Sequence, residues 1–132
     1  MRVSRTDGLL AYRGGPSKPV PADFDLLSVD IDGLDWQVWQ GLRGYQPKVV
    51  LIEVNSEIPP PIDQIHGDGR QGSSLESMTK LAREKGYTLA CHTGNAHYVR
   101  DDLVAQLDLD RFDPADLFIP EWMPGTDAPN GA

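Results

Sequence analysis

Asp30, Asp32, Glu53 and Asn55 are the residues whose types and spacing suit chemistry. They fall within Asp23 to Asn55, DFDLLSVDIDGLDWQVWQGLRGYQPKVVLIEVN, which reads as strand, acidic tip, amphipathic helix, strand and second acidic tip. In an open parallel sheet, ligands sit outside the carboxyl ends of the strands, so two tips ending side by side gather these polar groups where a ligand would lie. Carboxylates with an amide oxygen suit a hard cation such as magnesium or manganese, and Asp30, Glu53 and Asn55 are the expected ligands. A divalent ion there would orient a hydroxyl and favour its alkoxide. Asp30, Asp32 and Glu53 are equally candidates for acid–base catalysis. His66 joins them as a candidate base or nitrogen ligand, with Asp63 and Asp68 near it in sequence, because imidazole titrates near neutrality.

Each of these residues has a plainer reading. Asp32, just before Gly33 and Leu34, is a favoured helix-start residue and can cap the helix. Asp30 also fits a strand terminus bonded to neighbouring backbone amides. Glu53 fits a solvent-facing strand end, although a carboxylate in an apolar run is costly unless paired, metal-bound or exposed. His66 also fits an exposed loop, and His92 and His97, flanking a predicted turn, fit surface or turn roles.

The elements that must position these groups follow from hydrophobic pattern. Phe24 to Val29 and Lys48 to Val54 are short, nearly unbroken apolar runs, as expected of parallel strands buried on both faces. Between them Leu34, Val38 and Leu42 recur at helical spacing, with Trp36 and Trp39 widening the apolar arc and Gly41 or Gly44 closing the helix. Ile58 to Gly72 has no periodicity and is long for a connector, which marks a functional loop or else a disordered one. Ser73 with Glu76 predicts a capped helix carrying Leu75, Met78, Leu81 and Ala82 on one face, and Gly86 ends it. Tyr87 to Cys91 and His97 to Arg100, joined through Gly94 and Asn95, predict a terminal hairpin with Tyr87 and Tyr98 packed on the sheet. Short helices are expected through Leu107 and after Pro114. The fold class is therefore α/β: a truncated Rossmann-like half sheet of two parallel strands with a crossover helix, a further helix and a hairpin. Residues 1–22 read as a flexible lead-in, 23–119 as the ordered half-domain and 120–132 as a flexible tail.

With 132 residues the chain has room for one domain. Twenty acidic against twelve basic residues give a net charge of -8, which opposes binding to nucleic acid or anionic membrane. No apolar run approaches a membrane span, and no signal-peptide core is present, so the expected location is cytoplasmic. The lone Cys91 fits a small core residue in a reducing compartment. P-loop, CxxC, H-E-x-x-H and G-x-S-x-G motifs are absent, which removes support for nucleotide hydrolysis, structural zinc and serine hydrolysis.

The sequence DLLSVDIDG followed by a helix, then PKVVLIEVN, SSLESMTKLAREKGYTL and NAHYVR, resembles the second half of FkbM-type, class I S-adenosylmethionine-dependent methyltransferases. The resemblance covers roughly Asp23 to Leu103. It implies the fourth to seventh strands of that sheet, the last of them antiparallel. It places Asp30 and Asp32 at the end of the fourth strand and Glu53 to Asn55 at the end of the fifth, bordering methyl donor and acceptor. It further implies S-adenosylmethionine as cofactor and O-methyl transfer to a sugar or natural-product hydroxyl.

The glycine-rich turn and the ribose-holding acid of such enzymes have no counterpart here. About a hundred residues of upstream strand–helix units would be needed, and twenty-two precede Asp23. The chain is thus expected to be a fragment or half-domain that self-associates or pairs with another chain, through the apolar edge left on the Phe24 to Val29 strand or through nearby apolar faces. Trp36, Trp39 and Trp122 are read as interface residues on the same ground. Two other functions fit the residues: a non-catalytic assembly module derived from that fold, and a D-x-D metal-dependent glycosyltransferase-like enzyme with Lys48 and Arg70 as phosphate contacts.

Overall fold

The computed structural model of the chain describes residues 2–6, 9–13 and 20–120, the first two stretches as strand backbone. A mixed six-stranded sheet carries helices along it, with strand order β2-β1-β3-β4-β6-β5. Strands β1 (Arg2–Thr6) and β2 (Leu9–Arg13) form an antiparallel pair, and β1 runs parallel to β3 (Leu26–Val29). β3 crosses through α1 (Asp35–Gly41) to its parallel neighbour β4 (Val49–Glu53), with Val29 opposite Ile52. After the long loop, α2 (Leu75–Lys85) leads into the antiparallel pair β5 (Tyr87–His92) and β6 (Asn95–Arg100). β6 inserts between β4 and β5, antiparallel to both. Short helices α3 (Asp101–Val104) and α4 (Pro114–Leu117) follow.

Two expectations change here. Residues 1–22 are not simply a lead-in, because β1 and β2 belong to the sheet. Asp7-Gly8 stands between their sequences, a pair favoured in two-residue hairpin connections. Consequently β3 is not an edge: β1 and β4 flank it, the sheet ends at β2 and β5, and the case for association through β3 falls. Trp122 and the predicted tail beyond Pro120 lie outside the described residues.

The core explains why these segments became these elements. Leu27, Val29, Val50 and Ile52 are buried in β3 and β4, and Leu75, Met78, Leu81 and Ala82 form the buried face of α2. That α2 face is the predicted one, although the N-cap is Ser74, whose hydroxyl accepts the Ser77 amide. Gly86, at φ 88, ends the helix in the left-handed region that glycine adopts at low cost. Trp39 is core rather than interface, with ring centres 5.5 Å from Tyr87 and 5.3 Å from Tyr98. Trp36 is half-buried and donates its indole N–H to the Ser77 carbonyl at 3.3 Å, which pins α1 to α2. Cys91 is free and half-buried, beside an irregularity in the β5–β6 pairing. Among the described residues no helix is long and apolar enough to cross a membrane.

Tyr98 is fully buried and shares a 2.9 Å hydrogen bond with the buried Thr79 hydroxyl. Removing one hydroxyl strands the other in an apolar setting. Tyr98→Phe is expected to cost about 1–2 kcal/mol in chemical denaturation, and adding Thr79→Val should recover part of that loss.

Candidate active site at the carboxyl ends of β3 and β4

The parallel register that sets Val29 against Ile52 also makes Asp30 and Glu53 neighbours one step further on. Carboxylate oxygens of Asp30, Asp32 and Glu53 lie within 4.8 Å of one another, the two aspartates exposed and Glu53 half-buried. Beside them opens a cavity of about 370 Å³ whose walls include Asp32, Asp35, Glu53, Asn55, Ser56 and Gly72.

The turn from β3 into α1 is held from an unforeseen position. Asp35, 3 % exposed, accepts the Ile31 amide on Oδ1 at 3.0 Å and the Gly33 amide on Oδ2 at 3.1 Å. Burial pushes its carboxyl above the usual carboxylate range, and those two amides pull it back. Asp32 and Gly33 meanwhile adopt φ values of 56° and 127°. Asp32 therefore does not cap α1: the N-cap is Leu34, without a side-chain bond, and Asp35, the first helical residue, instead holds the turn that precedes the helix. The signal for this was an acid two residues beyond Gly33, where a helix favours negative charge.

Glu53 is the most perturbed group. Its carboxyl is pushed up to about 8, first by the hydrogen bond it shares with Asp30, then by burial and by the charges of Asp30 and Asp35. The Asp32 main-chain amide opposes the rise. Glu53 Oε2 is buried with no hydrogen-bond partner. A proton on Glu53 turns the carboxyl into a donor toward Asp30, so at neutral pH the pair holds one proton between two acids.

The loop of residues 58–72 is fixed over this turn. Ser73 and Ser74 hydroxyls accept the His66 and Gln64 amides, and the Ser77 hydroxyl donates to the Gln64 carbonyl at 2.7 Å. The His66 ring lies so close to Gly33 that a Cβ there would sit 2.6 Å from it. His66 Nδ1 accepts the Gly72 amide at 2.8 Å, which removes that nitrogen from service as a base or ligand. His66 thus braces the site, and it is not among the cavity walls. Its sequence neighbours Asp63 and Asp68 do not join it; Asp63 pairs with Lys80 at 2.7 Å.

Asn55 is also committed to the loop. Its amide nitrogen donates to the Gln71 carbonyl and its oxygen accepts the Glu57 amide, while the residue also lines the cavity. Lys48 pairs with Asp25 at 2.7 Å at the amino end of β4, away from the acidic tips. A cation at Asp30, Asp32 and Glu53 would meet three carboxylate oxygens, one residue of which carries an orphaned buried oxygen, and this donor set fits a hard ion.

His92 departs from its predicted surface role, being 1 % exposed. Its Nε2 lies 3.0 Å from the Ser56 hydroxyl, a spacing that suggests a nucleophile and base. The other nitrogen rules that out: Nδ1 accepts the Ile119 amide, so the proton sits on Nε2 and points at Ser56. His97 keeps the turn role, 3.2 Å from the Thr93 hydroxyl.

Comparison with protein families, with curated proteins and with solved structures finds no match to this chain.

Two predictions follow from the geometry. Gly33→Ala forces a strained φ and a clash with the His66 ring. It should lose about 1–3 kcal/mol of stability, with broadened amide resonances over residues 64–73 in NMR spectra. For Glu53, the folded carboxyl near 8 binds a proton more tightly than the ordinary 4.5. The stability from the shared proton is therefore complete below 4.5 and is lost as pH rises toward 8. Glu53→Gln supplies a permanent donor to Asp30. Thermal melts from about pH 5 to about pH 9 should show the variant gaining on the parent at the alkaline end, by on the order of 1 kcal/mol once screening is allowed for.

Proposed function

We propose that the cavity beside Glu53 is the acceptor side of an FkbM-like, S-adenosylmethionine-dependent methyltransferase site, acting on a hydroxyl of a sugar or natural product. The supporting observation is the order β3-β4-β6-β5, with the last of the described strands inserted antiparallel and the acidic cluster at the carboxyl ends of the two parallel strands β3 and β4. That is the arrangement the family resemblance implies for the fourth to seventh strands of a Rossmann-like sheet.

In this reading Glu53 faces the acceptor and Asp30 holds the proton with it. Below about 8 the pair is a hydrogen-bond donor and acceptor that orients a hydroxyl; above it the pair takes the hydroxyl proton as a base. Magnesium or manganese on Asp30, Asp32 and Glu53 would instead supply Lewis acidity at the same oxygen. The donor's usual cradle is not among the described residues. β1, the strand beside β3, is followed by the antiparallel β2 rather than by a glycine-rich turn and helix. No residue is therefore assigned to the methyl donor.

The D-x-D glycosyltransferase-like reading shares the cation site, but Lys48 lies at the far end of β4. The assembly-module reading rests on the missing donor cradle and does not need the β3 edge, although association through β3 itself is lost with that strand inside the sheet.

Calorimetric titration of the folded chain with manganese and with S-adenosylhomocysteine, separately and together, tests the proposal. Manganese binding at one site is expected, weakened at least about tenfold by Asp30→Asn, about 1.4 kcal/mol. Micromolar S-adenosylhomocysteine binding would carry the methyltransferase assignment. A folded chain that binds neither ligand, and whose Asp30→Ala, Glu53→Ala variant associates with its partners unchanged, would overturn it in favour of the assembly module.

A further inference from the structure

His92 has both ring nitrogens engaged in a pocket built from three separate parts of the chain. From α4 and the residues after it, the Ile119 amide donates to Nδ1 at 2.9 Å and the Phe118 ring stacks on the imidazole at 5.3 Å and 8°. From the loop after β4, Ser56 takes the Nε2 proton at 3.0 Å and in turn donates to the Gly94 carbonyl at 3.4 Å. Ser56 is also a wall of the cavity beside Glu53. The imidazole thus joins the segment of residues 113–119 to the candidate site.

That segment has little else of comparable specificity to hold it. At its start Asp113 meets Arg83 at 3.1 Å, both side chains more than half exposed, and such pairs contribute little in water. Pro114 is buried, and Leu117 and Phe118 pack against the core from partly buried positions. The specific polar attachment at the far end is the Ile119 amide on a neutral imidazole.

We propose that residues 113–119 form a pH-sensitive strap, latched on His92 while its imidazole is neutral and released when a second proton arrives. The added proton must go to Nδ1, because Nε2 already carries one. There it meets the Ile119 N–H, donor against donor, and the amide loses its acceptor. The surroundings offer the new charge little relief. His97 on β6 opposes it, and burial opposes it more, which together hold the imidazole below its ordinary value. On its own strand Cys91 is a half-buried neutral thiol. The carboxylates of the packed elements, Glu57 beyond Ser56 and Asp113 and Asp116 on the strap, are exposed and none contributes to the shift. Stacking on Phe118 returns only part of the desolvation cost.

The sign is fixed by these facts. With the folded value depressed, the latch is complete above the ordinary imidazole range and is lost as pH falls through the lower folded value. Release uncovers His92 and Ser56, so one wall of the cavity changes its hydrogen-bonding when the strap lifts. This is independent of the methyl-transfer reading, since it needs only the Ser56, His92 and Ile119 bonds.

Amide hydrogen exchange of the full chain, corrected for intrinsic rates, between about pH 8 and about pH 5 tests it. The Ile119 amide and its neighbours in 113–119 should lose protection by up to about tenfold for each pH unit as pH falls from the ordinary imidazole range toward the lower folded value, while β4 and α2 stay protected. His92→Asn keeps an acceptor near Nδ1 and cannot take the proton, so its strap should show no such loss. NMR titration of the parent chain guards against a variant that does not fold: the His92 ring proton and the Ile119 amide should titrate at one midpoint. Equal loss of protection in His92→Asn, undiminished protection in the parent at low pH, or separate midpoints for His92 and Ile119 would each overturn the proposal.

Discussion

A carboxylate buried in the first turn of α1 is the constraint on which the site rests. Asp35 receives the amides of Ile31 and Gly33, which the reversal between β3 and α1 would otherwise leave without partners. With those bonds in place the chain can hold Asp32 and Gly33 at positive φ. Asp32 then turns its amide toward Glu53, and Gly33 offers a bare surface to His66. His66 in turn takes the amide of Gly72, which itself approaches Asn55 too closely to carry a side chain. One buried acid thus begins a chain of contacts that fixes the long loop over the strand tips, and a network of this kind is worth more than its separate bonds.

The same closeness sets the electrostatics. Asp30, Asp32, Asp35 and Glu53 stand together with no described basic side chain bonded among them, so the cluster relieves its repulsion by keeping a proton on Glu53. A proton and a divalent cation are alternative ways of supplying the missing positive charge at one place. The protein's overall acidity, -8, gives neither preference, but it makes an anionic ligand a poor visitor.

Much of the framework was legible from hydrophobic runs. Leu26 to Val29, Val49 to Glu53 and the α2 face sit where unbroken or helical apolar spacing put them, and the acids fall at the strand tips for the same reason. What escaped were features that depend on contacts between distant segments. Asp35 looks like any acid in a first helical turn until its two amides are seen. His92 reads as a turn residue because nothing in its own neighbourhood announces Ser56, Phe118 or Ile119. His66 seemed free for chemistry, yet Gly33 and Gly72, far from it or merely near it in sequence, claim its ring. The first two strands were overlooked because RVSRT and LLAYR are weakly apolar, and the Asp7-Gly8 pair between them was the stronger clue.

The placement of β6 has a consequence for how the chain comes into being. β4, the most apolar strand, has one lasting neighbour from earlier in the sequence and the other from the last strand of the sheet. During synthesis its second edge stays open while the 47 residues from Val54 to Arg100 are added, and only the emergence of Arg100 closes it. Pairings between segments so far apart form slowly, and an apolar strand with an open edge is prone to stray association while it waits. The nascent protein is therefore most vulnerable in the interval between β4 and β6, and a helper that shields extended apolar segments would act to best effect there.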